Sequence, residues 1–156
     1  MIPYRGMRHA QAHSLNRVAF SATVHCLTGC AIGEILGMII GNALDLPAGG
    51  TVALSIALAF VFGYSFTSLP LLRAGMTLGA VIPLALASDT ISITIMEIVD
   101  NSIMLLIPGA MDAGLDQFGF YAALAFSLLI AGAAAFPVNR WLIARGRGHA
   151  VIHSAH

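Results

Sequence analysis

The stretch LGAVIPLALASDTISITIMEIVDNSIMLLI, Leu78 to Ile107, decides the fold, because it is apolar for longer than a helix needs to cross a bilayer. It nevertheless carries Asp89, Glu97, Asp100 and Asn101 at membrane depth. An ionisable side chain in the hydrocarbon core costs about 3 kcal/mol on insertion scales, so its presence indicates a function. The functional site is therefore expected in this span.

The composition excludes a soluble surface, since 58% of the 156 residues are hydrophobic and only 9% are charged. Four apolar segments each reach the roughly 20 residues of a membrane span: 18–41, 51–72, 78–107 and 118–143. Backbone groups in lipid must be hydrogen-bonded within a segment, and short connections make neighbours antiparallel. The sequence predicts one all-α domain, residues 1–156, built as an up-down-up-down bundle of four transmembrane helices. Pro83 is expected to start or kink the third helix.

The arrangement of charge predicts the orientation. The chain has seven basic residues in the N-terminal tail, the second connection and the C-terminal tail: Arg5, Arg8, Arg17, Arg73, Arg140, Arg145 and Arg147. The first and third connections carry only Asp45, Asp112 and Asp116. Under the positive-inside rule both termini are cytoplasmic. The expected surroundings are the lipid bilayer of a cytoplasmic membrane, and no nucleic-acid partner is expected.

Small residues predict how the helices pack. Gly29, Gly33, Gly37 and Gly41 recur every four positions in the first span, which allows another helix to approach closely. The fourth span offers a second small surface around Gly132, whereas the aromatic second span is expected to face lipid. Such close-packing surfaces could also assemble a homo-oligomer.

Two helices have a polar edge. On a helical wheel Cys26 and Cys30 group together, with Glu34 beside them and His25 to one side. In the third span Asp89 and Asp100 group with Met96, and Glu97 and Met104 lie at one edge of that group. Depths compared at about 1.5 Å per residue put Cys26 level with Asp89, and Glu34 level with Glu97. If the edges face one another, they form two polar layers.

Two chemistries suit these layers. Soft ligands select copper(I) or zinc, so a transition-metal site could use thiolate, imidazole and thioether groups from His25, Cys26, Cys30, Met96 and Met104. The acids instead suit a proton or cation relay, because neighbouring carboxyl groups can share protons. The relay candidates are Glu34, Asp89, Glu97, Asp100 and Asn101. Each of these residues also has an ordinary reading as a packed or hydrogen-bonded side chain.

Redox catalysis is the weakest of the hypotheses considered. Cys26 and Cys30 are spaced i,i+4, which aims both sulfurs along one helix face and suits a disulfide poorly, so we expect free thiols. No phosphate loop, nucleophile elbow or zinc-protease motif occurs in the sequence, which favours a protein that is not an enzyme. The tails carry His9, His13, His149, His153 and His156, which could bind metal in a helical tail, although frayed tails are expected.

Four strings carry a resemblance to a known family: HCLTGCAIGE (25–34), SDTISITIMEIVDN (88–101), IPGAMDAG (107–114) and FPVNRWLIARGRGH (136–149). They resemble a bacterial family of small four-helix membrane domains of unknown function. The resemblance implies the four-span architecture and implies no activity.

The leading hypothesis from the sequence is therefore a small membrane protein that binds or transports a cation, with copper favoured by the Cys, His and Met content. A proton or cation relay without metal is the first alternative. A non-catalytic accessory subunit of a membrane complex, in which the polar residues only select helix partners, is the second.

Overall fold

The computed structural model of the chain describes residues 4–110, 115 and 117–145, and the side chains among them from residue 14 onward. It confirms an all-α bundle of four helices: α1 (Tyr4–Ala43), α2 (Ala48–Arg73), α3 (Leu78–Leu106) and α4 (Phe118–Ala144). The described residues contain no strand. Each helix has a stretch long and apolar enough to cross a membrane, the shortest of 26 residues. The chain is therefore an integral membrane protein surrounded by lipid.

The expectation of a frayed N-terminal tail was wrong, and of the two roles expected for Pro83 the start of the third helix is excluded. α1 begins at Tyr4, so the backbone of the polar tail continues the first span as helix where fraying was expected. α3 begins at Leu78 and runs through Pro83, which therefore does not start the helix. The missing N–H of Pro83 affects only the carbonyl of Gly79 in the first turn of α3, so one lost bond there does not end the helix.

The helices pack as a ring in chain order. α1 contacts α2, α2 contacts α3, α3 contacts α4, and α4 closes back onto α1, while α1 also reaches α3 across the middle. The buried core includes Cys30, Ile93, Met96 and Phe120. This arrangement brings the polar edges of α1 and α3 into the interior.

The closest helix contact lies between α1 and α2, in a regular antiparallel register. A Cβ atom added at Gly29, Gly33, Gly37 or Gly41 would meet, in turn, Gly63, Ala59, Ser55 and Thr51 of α2. Both helices thus present small residues every four positions to one another. The glycine run is used within the subunit, and so is Gly132 of α4, which faces Leu27 and Thr23 of α1. These small surfaces therefore do not supply a subunit interface.

The position of α2 differs in part from the expectation that it faces lipid. Its membrane window is the least buried of the four, 22% against 39% for α1. One stripe of α2 is nonetheless buried, and Ser55, Ala59, Gly63 and Thr67 belong to it. The side of α2 that faces lipid is aliphatic, with Val61 and Leu69 exposed, whereas Phe60 and Tyr64 are partly buried against the core.

The α1–α2 contact predicts the effect of a single methyl group. Gly33→Ala would place Cβ against the backbone of Ala59, where only movement of a helix can relieve the overlap. We expect a loss of about 1–3 kcal/mol of stability, seen as a lower thermal midpoint in detergent. The matched control is Gly79→Ala in α3, where no atom lies within 4 Å of the new methyl group. An equal midpoint for the two variants would contradict this packing.

Candidate functional site

The polar edges of α1 and α3 meet in the bundle interior in two groups of side chains. We call the first the Asp89 layer; it contains His25 and Cys26 of α1, Thr67 of α2, and Ser88, Asp89 and Ser92 of α3. We call the second the Glu97 layer; it contains Cys30 and Glu34 of α1, Glu97, Asp100 and Asn101 of α3, and Ser127 of α4. All four helices contribute to the site.

Asp89 is fully buried at the centre of its layer. The Ser88 hydroxyl donates to Asp89 Oδ1 at 2.9 Å, and the Cys26 thiol approaches the same oxygen at 4.0 Å. Thr67 of α2 lies near this carboxyl group, and the His25 ring interacts with it electrostatically. The carboxyl group thus meets a hydroxyl donor from α3 and a thiol donor from α1, which compensate part of the cost of its burial.

The His25 ring lies at the edge of the Asp89 layer. It is half-buried and makes an edge contact with Phe66 of α2, with ring centroids 5.6 Å apart. The ring also lines an open groove of about 590 Å³ together with Arg17 and Phe20. His25 therefore links the layer to the outer surface of the α1–α2 pair.

A pair of carboxyl groups forms the heart of the Glu97 layer. Glu34 of α1 and Asp100 of α3 are 4% and 2% exposed, and their carboxyl groups are neighbours in the interior. Within the described residues, no nitrogen, hydroxyl or thiol donor bonds to either carboxyl oxygen of Glu34. Two neighbouring buried carboxyl groups without a basic partner are costly to ionise together. Full ionisation of the pair is therefore unfavourable.

The neighbours of this pair extend the layer on both sides. Ser127 of α4 donates a short hydrogen bond to Asp100 Oδ1. The Cys30 thiol adjoins the carboxyl group of Glu97. Asn101 donates from Nδ2 to the backbone oxygen of Glu97 at 2.9 Å and to its Oε2 at 3.4 Å. The result is a continuous group of acids, a thiol and neutral donors.

No permanent positive charge is available to these acids. The chain has no lysine, and no arginine occurs between Arg17 and Arg73 or between Arg73 and Arg140. Ionised carboxylates left unpaired in a low-dielectric interior are very costly. An unpaired charge on any of these acids is therefore unfavourable.

The side chains predicted as metal ligands do not converge. Cys26 adjoins Asp89 and Cys30 adjoins Glu97, so the two thiols belong to different layers. Met96 and Met104 are 0% and 2% exposed and pack in the hydrophobic core. In the described part of the chain, no group of three or more His, Cys, Asp or Glu side chains is arranged to hold a metal ion. The tail residues His9, His13, His149, His153 and His156 lie outside the described side chains.

Both cysteines are free and buried thiols in the structure. They lie one helical turn apart on α1 and point along the same face. Their sulfurs each meet an acid of α3, so the thiols act as neighbours of carboxyl groups in both layers.

Some site residues were not predicted from the sequence. Ser127 and Thr67 come from the helices that were assigned to packing and to lipid. Ser127 is the only polar side chain between Tyr121 and Asn139, a signal that could have identified it. Asn139, near the end of α4, is also buried and donates to Thr23 Oγ1 at 2.9 Å. A polar residue within an apolar span thus marks a helix partner in α4 as it does in α3.

The fold and this interior site define a small polytopic membrane protein with buried acids. Residues 15–148 match the family described as "Domain of unknown function (DUF4396)", and the chain belongs to that family. No curated protein and no solved structure matches the chain significantly.

The hydrogen bond between Ser127 and Asp100 predicts a measurable contribution to stability. Ser127→Ala would remove the neutral donor from a carboxyl group that is almost fully buried. We expect a loss of about 1–3 kcal/mol, measured by unfolding in detergent. The matched control is Ser102→Ala in α3, an exposed serine that bonds only to its own helix and should change little. Equal stability of the two variants would mean that the hydrogen bond between Ser127 and Asp100 does not stabilise the fold.

Proposed function

We propose that this protein binds protons within the membrane and passes them, or a small cation in exchange for them, along the interface of α1 and α3. The observation that carries the proposal is the Glu34–Asp100 pair, because two neighbouring buried carboxyl groups without a basic partner are costly to ionise together. Intramembrane acids in such an arrangement are typical of proton and ion pathways.

The distance spanned by the Asp89 layer and the Glu97 layer together supports proton movement in preference to proton storage. From Asp89 to Asp100 α3 rises about 16 Å, roughly half of the hydrocarbon thickness. Ser92 and Cys26 of the Asp89 layer and Cys30 of the Glu97 layer supply hydroxyl and thiol groups along the way. Groups that can both donate and accept a proton suit a relay of short transfers. The described acids therefore form one path and not isolated sites.

A soft-metal function has less support. The thiols are divided between two layers, and in the described part of the chain no three His, Cys, Asp or Glu side chains are arranged to hold a metal ion. An accessory role in a membrane complex is the competing proposal, in which the same acids only select helix partners.

We propose the bacterial inner membrane as the location, following the family resemblance. The arginine distribution favours cytoplasmic termini.

The relay predicts proton flux that depends on the buried acids. Purified protein in liposomes that contain a pH-sensitive dye should carry protons when a potential is imposed. Glu34→Gln removes the shared proton site while keeping the size of the side chain, so flux should fall at least about tenfold, the change that about 1.4 kcal/mol produces.

The matched control for this experiment is Asp45→Asn, which neutralises an exposed acid in the α1–α2 turn. Its flux should equal that of the wild type. A wild type that carries no protons above empty liposomes, or a Glu34→Gln variant with unchanged flux and normal folding, would favour the accessory role.

The soft-metal alternative predicts a different result from elemental analysis. We expect detergent-purified protein, incubated with copper or zinc and then desalted, to retain less than one ion per chain, because the donors do not converge. One copper ion per chain, lost in both Cys26→Ala and Cys30→Ala, would replace the proton proposal with the metal one. Tail histidines are controlled by a His149→Ala, His153→Ala double variant.

A further inference from the structure

A second feature of the membrane-facing surface lies between α2 and α3. It is a groove of about 500 Å³, within the size range of small-molecule sites. Its walls are apolar, with Ile56 and Phe60 from α2 and Ile98 and Leu105 from α3. Ile98 and Leu105 are 62% and 71% exposed, so the groove opens sideways toward the lipid.

The groove has a polar end formed by Glu97 and Asn101. Glu97 is only 4% exposed, and within the described residues no hydrogen bond is made to its Oε1 atom. Asn101 donates to Oε2, and the Cys30 thiol, a weak donor, adjoins the carboxyl group from α1. A buried acceptor with unused capacity thus lies at the inner end of an apolar groove.

The chemistry of the groove selects the charge of its occupant. A carboxyl group in a dry environment gains most from a positively charged partner, and Phe60 adds an aromatic face that also attracts cations. A lipid acyl chain could fill the apolar walls but would leave the acid without a partner. A second copy of the chain has no lysine, and its arginines lie in the tails and the second connection, away from this depth.

We propose that the α2–α3 groove binds a lipophilic organic cation from the bilayer, with the carboxylate of Glu97 as its counter-ion. The apolar part of the ligand lies against Ile56, Phe60 and Ile98, and its positive centre lies at Glu97 and Asn101. Binding displaces the proton of Glu97 when that carboxyl group is protonated, so the total charge of the site is conserved.

This inference is independent of proton flux, although both involve the same polar interior. The groove site needs only Glu97 and the apolar walls, whereas the relay is carried by the Glu34–Asp100 pair. Binding is measured at equilibrium in detergent without any gradient. A failure of the relay therefore leaves the binding result intact, and the reverse also holds.

The test uses the full chain and tetraphenylphosphonium as the probe. Equilibrium dialysis of the radiolabelled cation should give saturable binding with one site per chain. Tetraphenylborate has the same shape and the opposite charge, and it should bind at least about tenfold more weakly. Glu97→Gln should weaken binding of the cation at least about tenfold, since an ionic partner is lost. Asp45→Asn, outside the groove, should bind it as the wild type does.

A second pair of variants keeps the test valid if Glu97→Gln folds poorly. Ile98→Trp fills the groove from its exposed wall and should abolish binding, whereas Ile91→Trp, two turns earlier on the same exposed face of α3, should not. Equal affinity for the cation and the anion would overturn the proposal. Unchanged binding in both Glu97→Gln and Ile98→Trp would also overturn it, as would a wild-type protein that shows no saturable binding of the cation. A cross-linked dimer of the Ile98→Cys variant would then identify a second copy as the occupant of the groove.

Discussion

Four carboxyl groups enclosed by apolar helices, with no lysine or arginine at their depth, impose the main constraint on this protein. Each must be protonated, hydrogen-bonded or paired with an incoming cation, because an isolated charge in such surroundings is too costly. The structure meets part of the constraint with neutral donors, among them Cys26, Ser88 and Ser127. The carboxyl group of Glu34 has no such donor among the described residues, and the proposed function starts from that deficit.

The close contact of α1 with α2 makes this arrangement possible. Each glycine of the run lies directly on a small residue of α2, which fixes both the separation and the rotation of α1. Cys30 and Glu34 follow Gly29 and Gly33 by one position, about 100° further around the helix. Once the glycines face α2, these two side chains must point into the bundle toward α3. Packing on one side of α1 thereby positions the chemistry on the next.

Glu97 belongs to two environments at once. Toward the interior its carboxyl group adjoins Cys30 and the other acids of its layer, and toward the membrane it closes the groove between α2 and α3. Asn101 contacts the same carboxyl group and lines the same groove. The proposed relay and the proposed ligand site therefore meet at this side chain, while the pair Glu34 and Asp100 carries the first proposal and the groove carries the second.

The sequence by itself determined the four spans, the membrane environment and the acids of α3, because span length and hydropathy are local properties that no neighbour can alter. The two thiols and the glycine run were likewise identified from the sequence, as candidates for the site and for helix packing. Only the tertiary structure decided that the glycines contact α2 and not another subunit, that Ser127 bonds to Asp100, and that Cys26 and Cys30 meet separate acids. These outcomes depend on how each helix is rotated and which neighbour it faces, and packing between distant segments sets both.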